Sequence, residues 1–140
     1  GRRRHAADDL ARVAAGHGAA GASGIDLADA GAVQVAVSAT DVIVNATPLG
    51  MQGEELPPPF MQLHRGQIAY DLVYSPPETP FLVAAREAGA ATHHGLSMLI
   101  AQAALSYRRW TGDEAPVATM SAVALSRLSR GGSPAGPAPA

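Results

Sequence analysis

The sequence predicts an α/β fold in which strands of a parallel sheet alternate with helices. Two short apolar runs, DVIVN (41–45) and QIAYDLVY (67–74), are typical of strands that are buried on both faces. Segments with helical character and lengths of about ten residues or more lie on either side of these runs. Strands that alternate with such helices indicate a parallel sheet with crossover helices, flanked by helical layers.

Composition limits the classes of protein that the chain can represent. Its 140 residues fit one domain, and a hydrophobic content of 47% is enough for a core. A net charge of −2 argues against a dedicated nucleic-acid binder, which usually carries a basic face. The chain has no Cys, which excludes disulfides and thiolate metal sites, and every basic residue apart from His is Arg. A lysine base or a Schiff base is therefore impossible within these residues.

Targeting signals are not evident in the sequence. No apolar run approaches the ~18 residues that span a bilayer, so we expect no membrane partner. The opening GRRRHAADDL is basic but continues into acidic residues, unlike a signal peptide, and this predicts a cytoplasmic protein. The first residue is Gly rather than Met, which indicates a removed N-terminus or a piece of a longer polypeptide.

The N-terminal third contains two predicted helices and one weak strand. The spacing of apolar residues predicts a helix over 4–15, which the Gly-rich segment 16–24 ends. Ile25 and Leu27 suggest a short strand. Residues 28–38 are rich in Ala and predict a second helix.

The remainder of the chain continues the alternation of strands and helices. A long loop follows the first strand, from Ala46 to about Gly66, and Pro57 to Pro59 exclude a helix there. A helix over 79–89 has Thr79 as its N-cap, with Pro and Gly at its two ends. Three more elements and a tail are predicted, namely a strand at 91–94, helices at 95–110 and 116–130, and a disordered tail at 131–140.

Three motifs follow the ends of the predicted strands in a fixed order. They are NATPLGM (45–51), YDLVYSPPETPFL (70–82) and GLSMLIAQAALSYRRWTG (95–112). Together they resemble the shikimate dehydrogenase family, specifically its C-terminal NADP-binding half, over roughly residues 1–125. The resemblance implies a Rossmann-type parallel sheet whose first strand and Gly-rich pyrophosphate loop are missing. Residues 1–130 are then the C-terminal part of a dinucleotide-binding domain with closing helices.

The resemblance also implies a reaction. The family reduces 3-dehydroshikimate to shikimate with NADPH, or runs the reverse, on the route to chorismate and the aromatic amino acids. A Lys and an Asp of an N-terminal domain carry the proton, and no segment of this chain resembles that domain. We therefore expect no catalytic residue in this chain, an absent N-terminal catalytic domain as its partner, and no turnover by the chain alone.

Seven residues are implied as contacts of the NADP cofactor. Arg2 or Arg3 matches the Arg that holds the 2′-phosphate in the family, for which a planar, charge-assisted donor is suited. A solvated basic run is the alternative for residues 2–4. The strand-end loop contributes Thr47 and Pro48, although an ordinary turn is the alternative there. The second strand contributes Leu72, and the helix at 95–110 contributes Gly95 and Met98.

Two residues are implied as contacts of the substrate, shikimate or 3-dehydroshikimate. Tyr74 follows the second strand, where a half-buried packing residue is the alternative. Gln102 lies one turn after Met98 on the same helix face, where an exposed polar residue is the alternative. Asp71 is expected to be structural and to bond nearby backbone.

Other polar and aromatic residues are expected to have structural or solvated roles. Adjacent His93 and His94 point to opposite faces of a strand, so no metal site is expected. Glu54 and Glu55 are expected to be solvated. A core stripe is predicted along the helix at 95–110, formed by Leu96, Leu99, Ala103, Tyr107 and Trp110.

Two other functions remain open at this stage. The first is a non-catalytic remnant or binding module, which the upstream reading frame would distinguish from a fragment of an enzyme. A quinate/shikimate dehydrogenase paralogue that uses NAD is the second alternative. The Arg run favours NADP, because NAD-dependent enzymes usually place an acid on the ribose.

Overall fold

The computed structural model describes residues 4–129. Three strands and five helices alternate along this part of the chain. In chain order they are α1 (Arg4–Gly16), α2 (Ala30–Ser38), β1 (Val42–Asn45), β2 (Ile68–Asp71), α3 (Pro80–Glu87), β3 (Ala91–His94), α4 (Leu96–Thr111) and α5 (Val117–Ser129), with a 3-10 turn at Pro58–Met61 between β1 and β2.

The three strands form one parallel sheet in the order β1-β2-β3. Val44 pairs with Tyr70, which in turn pairs with His93, and Asn45, Asp71 and His94 form the next row. The carboxyl ends of all three strands therefore lie at one edge of the sheet. This architecture confirms the predicted α/β class with a parallel sheet.

Helix α3 shows how local sequence sets the element boundaries. Thr79 is the N-cap, and its side chain accepts a hydrogen bond from the Leu82 backbone N–H at 3.4 Å. Pro80 occupies the first helical position, where its missing N–H has no intrahelical partner. Gly89 follows the helix with φ of +81°, a conformation that side chains with a Cβ rarely adopt. These three features confirm the helix predicted at this place.

The core lies on one face of the sheet, under α2 and α3. Ile43 and Ala69 supply the sheet side, and α3 contributes the most completely buried aromatic ring, Phe81, at 2% exposure. The other members of this cluster are Val33, Val37, Leu56, Leu63, Leu82, Ala85 and Ala90. Burial of this apolar layer packs α2, α3 and the 3-10 turn against the sheet.

The opposite face of the sheet is open, so the prediction of strands buried on both faces was wrong. Val42 and Val44 of β1 are 51% and 54% exposed, and Ile68 of β2 is 36% exposed. His93 of β3 is exposed on the same face. The run of β-branched residues correctly predicts a strand. Whether both faces of the strand are covered depends on helices packing on both sides of the sheet. We call this surface, formed by Val42, Val44, Ile68, Tyr70, Ala91 and His93, the open face.

The predicted core stripe on α4 was also wrong. Leu96 is buried, but Leu99 and Tyr107 are 38% and 36% exposed and Trp110 is 81% exposed. Helix α4 packs against α5 rather than against the covered face of the sheet. Helical spacing correctly groups these residues on α4, but the elements described here do not cover the whole stripe.

Two local predictions in the loops need correction. No strand forms at residues 25–27, because the Asp26 side chain accepts a hydrogen bond from the Ala28 N–H at 3.0 Å and turns the chain. Ile25 and Leu27 instead pack as half-buried residues against the core. A 3-10 turn forms at Pro58–Met61 despite the prolines, since their fixed φ suits the first positions of a helical turn.

Strand β2 is shorter than predicted and ends at Asp71. The segments 1–3 and 130–140 lie outside the described residues, and with them the predicted roles of Arg2 and Arg3 and the predicted disordered tail at 131–140.

Candidate functional site

A buried polar network lies where β1 and β2 end. Asp71, which is fully buried, accepts hydrogen bonds through Oδ1 from Asn45 Nδ2 at 3.0 Å and from the Val73 N–H at 2.9 Å. Its Oδ2 accepts from the Thr79 hydroxyl at 2.6 Å. The expectation that Asp71 bonds nearby backbone is confirmed by the Val73 contact, but two side chains also bond to it. Asn45, Asp71 and Thr79 thus join β1, β2 and the start of α3; we call them the buried polar network.

The loop after β1 is shaped by Asn45. Asn45 Oδ1 accepts from both the backbone N–H and the hydroxyl of Thr47, at 3.0 and 2.7 Å. Its Nδ2 also donates to the Leu49 carbonyl at 3.0 Å, and the Leu49 N–H donates to Thr47 Oγ1 at 3.2 Å. Thr47 and Pro48 are themselves exposed. The buried Asn45 side chain therefore fixes the backbone of the loop, and the loop exposes Thr47 and Pro48 to solvent.

Glu54 closes the next part of the same loop. Its Oε2 accepts from the backbone N–H groups of Gly50 and Gln52, at 3.1 and 2.9 Å. The bonds from the Gln52 and Glu54 backbone, with a smaller one from Gly50, lower the pKa of this carboxyl from its usual value of 4.5. The expectation that Glu54 is only solvated was therefore incomplete. A Glu that follows two glycines in a tight loop is the signal that indicates such a bond.

A cavity of about 550 Å³ opens beside the loop after β1. Its walls are largely apolar, and Thr47 and Pro48 are among them. The other lining residues are Leu27, Ile43, Val44, Asn45, Ala46, Leu49, Leu56, Pro57 and Phe60. A largely apolar cavity with a few polar groups at the carboxyl edge of a parallel sheet is the usual form of a ligand site in such folds.

Gly95 is required by the chain itself. A Cβ at this position would lie 2.1 Å from the Leu72 carbonyl oxygen, which is part of the backbone that follows β2. The Gly95 N–H donates to the Val73 carbonyl at 3.1 Å. The close packing of the start of α4 on the backbone after β2 therefore explains why residue 95 must be glycine. This requirement holds independently of any contact with a ligand.

Four other predicted contact residues do not line this cavity. Leu72 is half-buried, and Tyr74 is 43% exposed just beyond it. On α4, Met98 is half-buried and Gln102, one turn later, is exposed. Each of these four residues is partly open to solvent, two after β2 and two on α4.

The two histidines of β3 have separate surroundings. His93 stacks on Tyr70 of the open face, with ring centroids 6.0 Å apart, while His94 Nδ1 accepts from the Leu96 N–H at 3.3 Å. Within residues 4–129, no group of three His, Cys, Asp or Glu side chains is placed to hold a metal ion. Among the same residues, no helix has the length and hydropathy needed to cross a membrane.

A parallel sheet with helices and an apolar cavity at the carboxyl ends of its strands defines a Rossmann-type ligand-binding domain. Residues 95–125 match the family described as "Shikimate 5'-dehydrogenase C-terminal domain". The shikimate dehydrogenase (NADP(+)) of Moorella thermoacetica is 44% identical over 134 residues, which are 94% of this chain and 44% of that protein.

Solved structures agree with the sequence relatives. The quinate dehydrogenase of Corynebacterium glutamicum in complex with NAD superposes with a TM-score of 0.76 and 34% identity, covering 89% of this chain and 44% of that one. The shikimate 5-dehydrogenase of Thermus thermophilus, in complex with NADP(H) and shikimate, has a TM-score of 0.62 and 33% identity, covering 69% and 37%.

These comparisons confirm the resemblance that the three motifs indicated. The chain is similar to the C-terminal portion of shikimate dehydrogenases, and it has the fold of that portion. It spans less than half the length of the relatives it matches.

Proposed function

We propose that this chain provides the cofactor-binding and part of the substrate-binding surface of an NADP-dependent shikimate dehydrogenase. The observation that carries the proposal is the meeting of three family motifs at one sheet edge. They follow β1 and β2 and begin α4, three places that the parallel register brings together. The reaction is the reversible reduction of 3-dehydroshikimate to shikimate.

The residues at this edge fit a dinucleotide. Thr47 and Pro48 line a largely apolar cavity of about 550 Å³, and the loop that carries them is held rigid by Asn45. Leu72 and Met98, both half-buried, offer apolar surface for the nicotinamide side, and the Gly95 backbone packs directly on the Leu72 backbone just after β2. When bound, NADPH would supply the hydride.

Two groups are assigned to the substrate. The Tyr74 side chain, 43% exposed, offers a hydroxyl beside the β2 end. Gln102 is exposed on the face of α4 that also carries Met98, so its amide is free to bond a substrate hydroxyl beside the nicotinamide.

The groups that move the proton are assigned to a segment outside these 140 residues. The chain has no Lys, and its relatives are more than twice as long as the part they share with it. The open face and the exposed side chains of α4, above all Trp110 at 81%, are the surfaces against which that segment would pack. The chain alone is then expected to have no measurable turnover.

Cofactor preference is assigned to the Arg run at residues 2–4. Replacing Arg2, Arg3 and Arg4 together by Ala should weaken the binding of NADP and leave the binding of NAD unchanged, because only NADP carries the 2′-phosphate. A charge-assisted hydrogen bond to that phosphate contributes about 1.5–3 kcal/mol. Dissociation constants for both cofactors, at two salt concentrations, measure this effect. Unchanged NADP affinity would instead favour an NAD-dependent relative.

The whole proposal can be tested in a chimera. The matched segment of the Moorella thermoacetica enzyme is replaced by this chain, and shikimate-dependent reduction of NADP is followed by absorbance. An active chimera is expected, and quinate with NAD serves as the comparison substrate pair. In the chimera, Gln102→Ala should raise KM for shikimate about two- to tenfold, as for one lost hydrogen bond, while NADP affinity stays the same.

The control is Gln34→Ala, which removes a half-buried Gln of α2 that bonds the Ser38 hydroxyl, away from the carboxyl edge of the sheet. It should change neither constant. A chimera that folds, by circular dichroism, but neither binds NADP nor oxidises shikimate would contradict the proposal and favour a remnant without catalytic function.

A further inference from the structure

The hydrogen bonds beneath the β1 loop determine which way each polar group points. Asp71 Oδ1 accepts from the Val73 N–H at 2.9 Å, and the amide nitrogen of Asn45 donates to the same oxygen at 3.0 Å. The Leu49 carbonyl, bonded to the same nitrogen, requires the same orientation. Asn45 must then turn its oxygen towards Thr47, whose backbone N–H donates to it.

The orientation of Asn45 in turn sets the hydroxyl of Thr47. The single hydroxyl proton is committed to Asn45 Oδ1, at 2.7 Å, and one lone pair accepts from the Leu49 N–H. What the exposed hydroxyl has left for a ligand is one lone pair. Thr47 can therefore accept a hydrogen bond from a ligand but cannot donate one.

We propose that Asp71 is a positioning residue that acts through Asn45 to make Thr47 an acceptor-only contact for a donor group of the bound cofactor. This inference rests on the proposed function, which places Thr47 against the dinucleotide. It adds the chemistry of the contact: a ribose hydroxyl or a carboxamide N–H is bound there, whereas a phosphate oxygen, itself an acceptor, is rejected.

Three variants of the 140-residue chain separate this role from simple support of the fold. Asp71→Ala removes one of the two acceptors that orient the Asn45 amide nitrogen and leaves only the Leu49 carbonyl. Asp71→Asn keeps the acceptor at residue 71, because the Asn oxygen must face the two donors at Asn45 and Val73, and its NH₂ then donates to the Thr79 hydroxyl. Thr79→Val is the matched control, because it removes a hydrogen bond to Asp71 on the side away from Asn45.

The first measurement is hydrogen exchange of backbone amides in the chain without ligand. Asp71→Ala should speed exchange at Thr47 by about two- to tenfold, the effect of weakening one hydrogen bond, relative to the sheet amides of Ile68 and Leu72. Asp71→Asn and Thr79→Val should leave the ratio of Thr47 to the sheet amides unchanged. Equal acceleration at all three amides in Asp71→Ala would show a general loss of stability and overturn the inference.

A second measurement on the unsubstituted chain covers the case in which Asp71→Ala does not fold. The side-chain amide protons of Asn45 should exchange more slowly than those of Gln62 and Gln102, which are exposed. Exchange as fast as at those two residues would mean that Asn45 is not oriented, and would overturn the inference.

The third measurement tests the ligand. NADP is titrated by nuclear magnetic resonance into the unsubstituted chain, Asp71→Ala, Thr47→Val and the double variant. Asp71→Ala should weaken NADP binding about two- to tenfold in the otherwise unsubstituted chain. In a chain that already carries Thr47→Val, it should weaken NADP binding no further. Equal weakening in both backgrounds would overturn the inference, and inorganic phosphate should not shift the Thr47 amide.

The outcomes distinguish the inference from the proposed function. Failure of NADP to perturb residues 46–48 in the unsubstituted chain would contradict the proposed cofactor site and the ligand chemistry assigned to Thr47. The exchange pattern would still decide whether Asp71 orients Asn45 and Thr47.

Discussion

Helices α3 and α4 both carry apolar side chains at helical spacing, but they meet different surroundings. In α3, Phe81 and Leu82 are 2% and 4% exposed, because the helix packs on the covered face of the sheet. In α4, Leu96 is buried, whereas Leu105 is 69% and Trp110 81% exposed. The sheet repeats the contrast, with Ala69 fully buried on one face and Val44 half exposed on the other. An apolar pattern thus indicates that a residue needs a partner, not that the partner lies among the described residues.

The largest expected effect comes from two aromatic residues on the two helices. Phe81→Ala should lower the free energy of unfolding by about 3–5 kcal/mol, because it leaves a cavity in the core. Trp110→Ala should change it by less than about 0.5 kcal/mol, since its side chain is in solvent. Urea denaturation of the 140-residue chain measures both, and similar losses would mean that α4 is covered in solution.

A second pair compares two glutamines. Gln67 is 2% exposed, and its amide nitrogen donates to the carbonyls of Val37 and Thr40 while its oxygen accepts from the His64 N–H. Gln67→Leu should destabilise the chain by about 1–3 kcal/mol by leaving buried groups without partners. Gln102→Leu should leave stability unchanged. A large loss from Gln102→Leu would show that this residue is structural rather than a substrate contact.

The open face offers a third comparison, between this chain and the chimera described above. Val44→Ala in the chain alone should have little effect, because Val44 is already 54% exposed. In the chimera the same change should destabilise by about 1.5 kcal/mol, the value for two buried methylene-sized groups, if the rest of the protein covers this face. Thermal unfolding of the two matched pairs checks this, and equal effects would mean that the face stays open.

The smallest effects are those of pH at two exposed groups. The ring of His64 bonds the backbone carbonyls of Arg65 and Ser38, which raises its pKa above 6.5, the Arg65 bond having the larger effect. These bonds favour the protonated ring in the folded chain. The stability that they add to the fold is therefore fully present below pH 6.5 and is lost as pH rises through the pKa of the folded state. For Glu54 the pKa is lowered, so the stabilisation is present above pH 4.5 and is lost as pH falls through the folded pKa.

Two substitutions separate these pH effects. His64→Gln should flatten the dependence of unfolding on pH above 6.5 only, and Glu54→Gln should flatten it below 4.5 only, each measured by urea midpoint across pH. If the urea midpoint still depends on pH in the same way in both variants, other titrating groups cause the dependence.

Local sequence by itself was enough to predict the described helices and the parallel strands. The N-cap Thr79, Pro80 and Gly89 define α3 through their own backbone preferences, and Gly112, with φ of +81°, ends α4 in the same way. The three motifs also indicated the sheet edge at which we propose the site, since parallel strands place their carboxyl ends together.

Only the tertiary structure decided which apolar faces are covered and how the polar groups at the site are connected. Val42 and Ile43 are neighbours of similar chemistry, and only the position of α2 and α3 makes one exposed and the other buried. Asp71 lies 26 residues after Asn45 and 8 residues before Thr79, so no local pattern shows that the three share hydrogen bonds. Burial and long-range hydrogen bonds depend on which elements meet in space, and sequence spacing specifies only which elements form.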